Sequence, residues 1–266
     1  MKVFISADIE GTAGIADWDE ALKERPDYQE FRELMTAEVA AACEGAKAAG
    51  AKEILIKDAH QTGRNLIVSK LPDHASIVRG WSGHPHVMMF GLDKSFDAAL
   101  FTGYHAKAGV EANPLAHTMN DRISRLIING EVASEFTVNA YTAALLGVPP
   151  VFLSGDRGIC DDARALVPEI GTVAVSEGFG RAALSMSPAR AIDRIREGVE
   201  KALSRDLTAC RLDLPRHFDV EIEFNNPTDA YRASWYPGAE HPRERTLRFV
   251  SDDYFEVLRA LRFLTV

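Results

Sequence analysis

The stretch Val3-Phe4-Ile5-Ser6-Ala7-Asp8-Ile9-Glu10-Gly11 decides how the rest of the chain is read. Val3 to Ala7 is a short apolar run rich in β-formers, the pattern of a strand buried on both faces. Downstream, from Tyr28 to Ala49, Phe31, Leu34, Met35, Val39, Cys43 and Ala46 recur at three- and four-residue steps, and Gly50 stops the helix they predict. Glu53 to Lys57 (Glu-Ile-Leu-Ile-Lys) reads as a second strand. Strand, helix and strand make a βαβ unit, which requires a parallel pair joined by a right-handed crossover.

The alternation continues. Ala75 to Val78, Ala98 to Thr102, Arg125 to Asn129, Val151 to Leu153 and Thr172 to Val175 read as strands. Helices are expected over Glu135 to Leu146, Arg157 to Leu166 and Pro188 to Leu203, the last with proline in its first turn. After about Leu214 the texture changes. Phe218 to Phe224 alternates with period two, Thr246 to Val250 is a short strand, and Asp252 to Phe263 is a closing helix. Pro237 to Arg245 reads as an exposed loop. The expected fold is α/β: a mostly parallel central sheet flanked by helices over residues 1–205, with a smaller α+β portion over 206–266.

Composition narrows the function. The 266 residues are 46% hydrophobic, enough for a sizeable core. A net charge of −9 argues against sequence-independent nucleic-acid binding, which needs a basic face. The N-terminal apolar run is too short for a signal peptide, and no stretch approaches the roughly 18 apolar residues of a membrane span. Cys43, Cys160 and Cys210 have no CxxC spacing and read as reduced, buried thiols. Cytoplasmic localisation is therefore expected.

Side chains alternate faces along an extended segment, so Asp8 and Glu10 can aim at one point while Ile9 packs elsewhere. They stand at the carboxyl end of a strand, where open α/β sheets bind ligands. Two acids so close repel unless a cation lies between them. Lys57-Asp58-Ala59-His60 and Gly103-Tyr104-His105 end two further strands, and Glu135 follows Ser134 at a helix start. Each has an ordinary explanation alone: a solvated acid, a satisfied histidine, a favourable charge at a helix N-terminus. Together, Asp8, Glu10, His60, His105 and Glu135 can share one rim of one sheet. Five mixed oxygen and nitrogen donors exceed what one tetrahedral zinc takes, and suit a pair of metals about 3.5–4 Å apart with a bridging carboxylate. Zinc is the default for this donor mix, with manganese or cobalt as alternatives. His117, in Ala116-His117-Thr118-Met119, is a candidate acid–base group if its loop reaches the same rim.

Other motifs rank lower. His84-Pro85-His86 reads as an extended surface turn. Asp156 is expected to cap the helix after it. Gly11 to Gly14 is not a GxGxxG and carries no phosphate-loop lysine, and there is no Gly-x-Ser-x-Gly elbow.

In order, Ser6-Ala7-Asp8-Ile9-Glu10-Gly11, Asp58-Ala59-His60, Gly103-Tyr104-His105-Ala106, His117-Thr118-Met119 and Glu135 with Asn139-Ala140-Tyr141 resemble the zinc D-aminopeptidase family typified by the enzyme of the bacterial dipeptide-transport operon. The resemblance runs the length of the chain and is densest before residue 160. It implies a peptidase or amidase with two zinc ions per chain, acting on short peptides or aminoacyl amides. Asp8 would bridge the metals, Glu10 and His60 would complete one site, His105 and Glu135 the other, and His117 would be the catalytic histidine. It also implies a homo-oligomer, a decamer that encloses its active sites. Where the family pattern places a lysine after the strand ending at Val175, this chain has Ser176-Glu177.

Two competing readings share the ligands. A binuclear phosphoesterase would need cations for the phosphoryl oxygens, and Arg122 and Arg125 are the local candidates. A non-catalytic, metal-stabilised assembly protein would have no use for His117. No nucleic-acid or membrane partner is expected.

Overall fold

The computed structural model describes residues 1–265. Its strands are β1 (Lys2–Ala7), β2 (Glu53–Asp58), β3 (Ala75–Val78), β4 (Ala98–Tyr104), β5 (Ile123–Ile128), β6 (Glu131–Val132), β7 (Pro150–Asp156), β8 (Gly171–Phe179), β9 (Ala182–Ser185), β10 (Phe218–Phe224), β11 (Glu240–Arg243) and β12 (Thr246–Ser251). Its helices are α1 (Trp18–Ala21), α2 (Tyr28–Ala48), α3 (Glu135–Leu145), α4 (Arg157–Leu166), α5 (Pro188–Leu203), α6 (Pro227–Ala233) and α7 (Tyr254–Leu264).

Two sheets organise the molecule. The larger is seven-stranded in the order β3-β2-β1-β4-β7-β8-β9, parallel except for β9. The smaller is five-stranded and antiparallel, in the order β11-β12-β10-β5-β6. The α/β class with a mostly parallel sheet is borne out. The smaller sheet also takes β5 and β6 from within the first 205 residues, so the strand expected at Arg125 to Asn129 belongs to it and not to the parallel layer.

From β1 the chain crosses to β2 and β3 on one side, whereas from β4 it proceeds to β7 and β8 on the other. The winding reverses between β1 and β4. In an open parallel sheet the connections diverge at such a point and leave a crevice beyond the carboxyl ends of the two strands. Strands β1, β4 and β7 are buried throughout or nearly so, as continuous apolar runs flanked by helices must be. Helix α2 buries Met35, Val39, Ala42, Cys43 and Ala46 along one stripe and packs on α5. All three cysteines are buried free thiols.

Several boundaries follow from local chemistry. The Asp156 carboxylate accepts from the Ile159 N–H at 2.9 Å and caps α4, as its position indicates. Ser134 and Thr137 form a capping box that starts α3. Pro237 to Arg245 is not wholly a loop. Glu240–Arg243 are exposed, as charged residues should be, but pair with β12 as an edge strand. Charged side chains on an edge discourage further pairing.

Glu38 is 2% exposed on α2 and accepts from the Ala13 N–H at 2.9 Å, while its other oxygen has no partner among the described residues. Burial, offset only in part by the Ala13 hydrogen bond, pushes its carboxyl up to about 8 from the ordinary 4.5. As pH rises between these values the unfolded chain gives up the proton and the folded chain retains it, so this group lowers stability progressively and fully above about pH 8. Glu38→Gln is expected to be more stable than wild type by about 2 kcal/mol near pH 9 and nearly equal near pH 4.5, as read by denaturant unfolding at both pH values.

Candidate metal centre

The ends of β1 and β4 touch. Backbone bonds run from Asp8 N–H to Thr102 carbonyl (2.9 Å) and from Gly11 N–H to Gly103 carbonyl (2.8 Å). A Cβ on Gly11 would collide with the Tyr104 carbonyl, and one on Gly103 with the Asp8 carbonyl, while Gly103 also has a φ of +67°. The glycines in the two sequence motifs are thus what lets the strand ends cross. The crossing carries Asp8 and Glu10 from β1 to within reach of His105 from β4.

Asp8, Glu10, His60, His105 and Glu135 are all 5% exposed or less. His60 Nδ1 lies 3.3 Å from Asp8 Oδ1 and 3.1 Å from Glu10 Oε1. His105 Nε2 lies 3.7 Å from both Asp8 Oδ2 and Glu135 Oε1. His117, half-buried, places Nε2 3.7 Å from Glu135 Oε1 and stacks on the His105 ring at 4.3 Å with an 8° tilt. All six residues singled out from the sequence therefore converge. Glu135 arrives differently from the expectation of a shared sheet rim: it opens α3 after the small sheet's β6, and the Met119 N–H donates to its Oε1 at 2.7 Å. Met119 holds that position at a φ of +67°, an unfavourable region for its side chain.

The three imidazoles follow one plan. Each gives one nitrogen to a backbone carbonyl: His60 Nε2 to Ala21 (2.9 Å), His105 Nδ1 to Ala106 (3.0 Å) and His117 Nδ1 to Leu115 (2.9 Å). An N–H donated outward fixes the tautomer and leaves the other nitrogen's lone pair facing the cluster, the usual arrangement of metal-binding histidines. Burial together with the neighbouring Glu10 carboxylate pushes the Asp8 carboxyl well up. Burial also pushes Glu10 up, but His60, His105 and His117 outweigh it and hold that carboxyl well below its usual range. Burial pulls His60 down, and Glu10 and Asp8 more than reverse this. His105 is likewise raised to about 9, against burial, by Glu135, Glu10 and Asp8.

These residues fit a divalent cation. Glu10 Oε2 and His105 Nε2 are buried without a hydrogen-bond partner among the described residues. Three donor triads have ligand atoms within 4.8 Å of one another: Asp8–Glu10–His60, Asp8–His105–Glu135 and Glu10–His105–His117. Asp8 belongs to the first two. Imidazole plus carboxylate is the donor chemistry of zinc.

A cavity of about 410 Å³ opens beside the cluster. Trp18 stands edge-on to His117 at 5.1 Å, and the Trp81 indole, 4.1 Å from the buried Lys57 ammonium, lines another part of the wall. His84 and His86 line it too, their rings 4.5 Å apart, so this turn is part of the cavity wall although it joins none of the triads. Ser176 and Glu177 do not line it, and Glu177 pairs with Arg157 at 3.1 Å. Arg122 and Arg125 are outside the lining as well. Arg122 donates to the Thr265 carbonyl and Arg125 is exposed on β5.

Sequence reasoning missed the supports. Asn113 bonds the Glu10 carbonyl (3.1 Å) and Asp156 (3.0 Å), and Asp156 also accepts from the Ala106 N–H (2.7 Å). Asp156 therefore ties the β4 and β7 ends together as well as capping α4. Beneath the cluster Tyr104 OH contacts Ser6 Oγ (2.7 Å) and accepts from Asn139 Nδ2 (2.9 Å). Asp58, beside His60, turns away to accept from the Asn65 and Leu66 N–H groups.

An open α/β sheet with acids and imidazoles converging at its switch point is the framework of a metallohydrolase. The chain belongs to the D-aminopeptidase family, whose model matches residues 1–263. It is 32% identical over 267 residues to the D-aminopeptidase of Bacillus subtilis (strain 168), covering 100% of this chain and 97% of that protein. Its structure superposes with a TM-score of 0.94 on the Zn-dependent D-aminopeptidase DppA from Bacillus subtilis, a self-compartmentalizing protease, at 31% identity over 100% of this chain and 97% of that one. The family resemblance read from the sequence is borne out.

The crossing of β1 and β4 generates a prediction. Gly11→Ala must separate the two strand ends, and is expected to lower unfolding stability by roughly 3 kcal/mol, while Gly50→Ala, whose Cβ would meet nothing within 4 Å, costs about 1 kcal/mol from its positive φ alone. Urea unfolding of both variants checks the difference.

Proposed function

We propose that this chain is a zinc-dependent aminopeptidase that removes the N-terminal residue, by preference a D-residue, from short peptides. We assign two zinc ions per chain: Asp8 would be shared between them, Glu10 and His60 would hold one, and His105 and Glu135 the other. The observation that carries this reading is Asp8's membership of two buried triads that have no other residue in common. Zinc bound there would polarise the scissile carbonyl, lower the pKa of a water and offset the charge that develops on the carbonyl oxygen.

The chain's own groups supply the rest. His117 is the acid–base residue, taking a proton from the attacking water at Nε2 and delivering it to the leaving amine. Its Nδ1–H bond to Leu115 and its position between the Trp18 edge and the His105 face hold the ring in place. Glu135, fixed by the Met119 N–H, lies beside that Nε2 and stabilises the imidazolium formed in transit. The cavity's volume suits a short peptide and excludes a folded one. Arg122 and Arg125, the cations named for the phosphoesterase alternative, stand outside the cavity.

We further assign the protein to the cytoplasm and to a homo-oligomer, a decamer as the resemblance implies. Among the described residues no helix is long and apolar enough to cross a membrane. Exposed Leu184, Tyr231, Trp235 and Phe263 offer apolar surface for subunit contacts.

Metal analysis of the purified protein should give about two zinc per chain, falling in His60→Ala. Fewer than one per chain, with His60→Ala unchanged, overturns the di-zinc assignment. His117→Ala should keep its metal and lose about 10²- to 10⁴-fold in kcat on a D-aminoacyl peptide. Full activity in that variant removes the role given to His117. Light scattering should return a multiple of the 29.2 kDa chain mass, and a monomer refutes the assembly.

A further inference from the structure

Helix α7 closes the cavity with one face. Leu258, Leu261, Arg262 and Thr265 line it at steps of three, four and seven residues. Arg262 is the one lysine or arginine among the described lining residues. Neighbouring cations find acids within the protein, as Arg259 does with Glu256 (2.6 Å) and Arg122 with Asp229 (3.9 Å). Among the described residues Arg262 has neither an ion pair nor a hydrogen bond. The same cavity carries the donor cluster and a further acid, Asp121, so Arg262 is its one guanidinium on a wall that also holds the metal-ligating groups.

A free peptide carries a carboxylate at its C-terminal end, the charge complement of that guanidinium. We infer that Arg262 anchors the C-terminal carboxylate of the substrate, so that the site selects short peptides with a free C-terminus over the same peptides capped as amides. This rests on the aminopeptidase reading and deepens it. A guanidinium offers a planar fork that matches a carboxylate with two parallel hydrogen bonds, which a lysine ammonium does not. The anchor is also held in register with the acid–base histidine. The Thr265 carbonyl at the end of α7 accepts from Asn120 Nδ2 (2.6 Å) and Arg122 Nη2 (2.9 Å), both in the segment that follows His117. A carboxylate bound at Arg262 therefore lies at a set distance from the reacting bond, which limits peptide length.

A purely structural role for Arg262 also exists, because a cation in the last turn of a helix offsets the partial charge of its carbonyls. Such a role is indifferent to what stands at the substrate's C-terminus, and this separates the two. Zinc-loaded wild type, Arg262→Lys and Arg262→Gln, each shown by thermal melting to be folded, are assayed on D-alanyl-D-alanine and on its C-terminal amide. Wild type is expected to favour the free acid by about 10- to 100-fold in kcat/KM, expressed mainly in KM. The ratio should fall to about one in Arg262→Gln and be intermediate in Arg262→Lys.

A wild-type ratio near one overturns the inference, and so does an Arg262→Gln variant that keeps the wild-type ratio or loses both substrates equally. If Arg262→Gln does not fold, the wild-type ratio and its reduction in Arg262→Lys decide. If zinc-loaded wild type turns over neither compound, the aminopeptidase reading fails on its own. Calorimetric titration of both compounds into wild type and Arg262→Gln then judges the anchor separately. Acid-selective binding that Arg262→Gln abolishes supports it, and equal or absent binding overturns it.

Discussion

The backbone contact between the ends of β1 and β4 is the constraint on which the site depends. Neither strand end tolerates a side chain where the other passes, and Gly11 and Gly103 meet that requirement from opposite sides. The contact falls where the winding of the sheet reverses, so no crossover helix covers it. Asp8 from one strand end and the His105 imidazole from the next are thereby held within 4 Å on rigid backbone. Residues carried on strand ends are positioned by the whole hydrogen-bonded ladder, which a surface loop does not provide.

That concentration of donors sets an electrostatic problem. Three carboxylates and two imidazoles lie out of water, and burial disfavours every charged form among them. The acids and imidazoles answer by raising and lowering one another, yet Glu10 Oε2 and His105 Nε2 still have no hydrogen-bond partner among the described residues. Each histidine has committed its other nitrogen to a backbone carbonyl, which orients the free lone pair inward. Structure of this kind is costly for stability alone, and its donors fit a divalent cation.

The smaller sheet has a part in the site that its position late in the chain conceals. After β4 the chain leaves the parallel sheet, lends β5 and β6 to the antiparallel one, and returns through α3 to β7. This excursion delivers His117 on the way out and Glu135 on the way back. The closing helix α7, packed on the same small sheet, then walls the cavity through Leu258, Leu261 and Arg262. The donor cluster thus belongs mainly to the parallel sheet, and α7, which packs on the antiparallel one, walls part of the cavity beside it.

Much of this was legible in the sequence, because strands, helices and caps are written in near-neighbour patterns. The apolar run before Asp8, the three- and four-residue steps of α2, the alternation of β10 and the Asp156 cap all give the observed elements. Asp8, Glu10, His60 and His105 could be grouped from sequence because each ends a strand of one parallel sheet, where the carboxyl ends must lie together. What pattern could not decide was which elements pair across long separations. Arg125 to Asn129 looks like any short strand, and only its partners β10 and β6 assign it to the second sheet. Glu240–Arg243 is polar enough to pass for a loop until β12 pairs with it. The His60 bond to the Ala21 carbonyl, the Asn113–Asp156 support, and the placing of Arg262, far along the chain from Asp8, on the wall of the same cavity all depend on contacts between distant segments. Local periodicity records how a segment meets water and core, whereas a cavity is made by surfaces that meet only after the chain has folded.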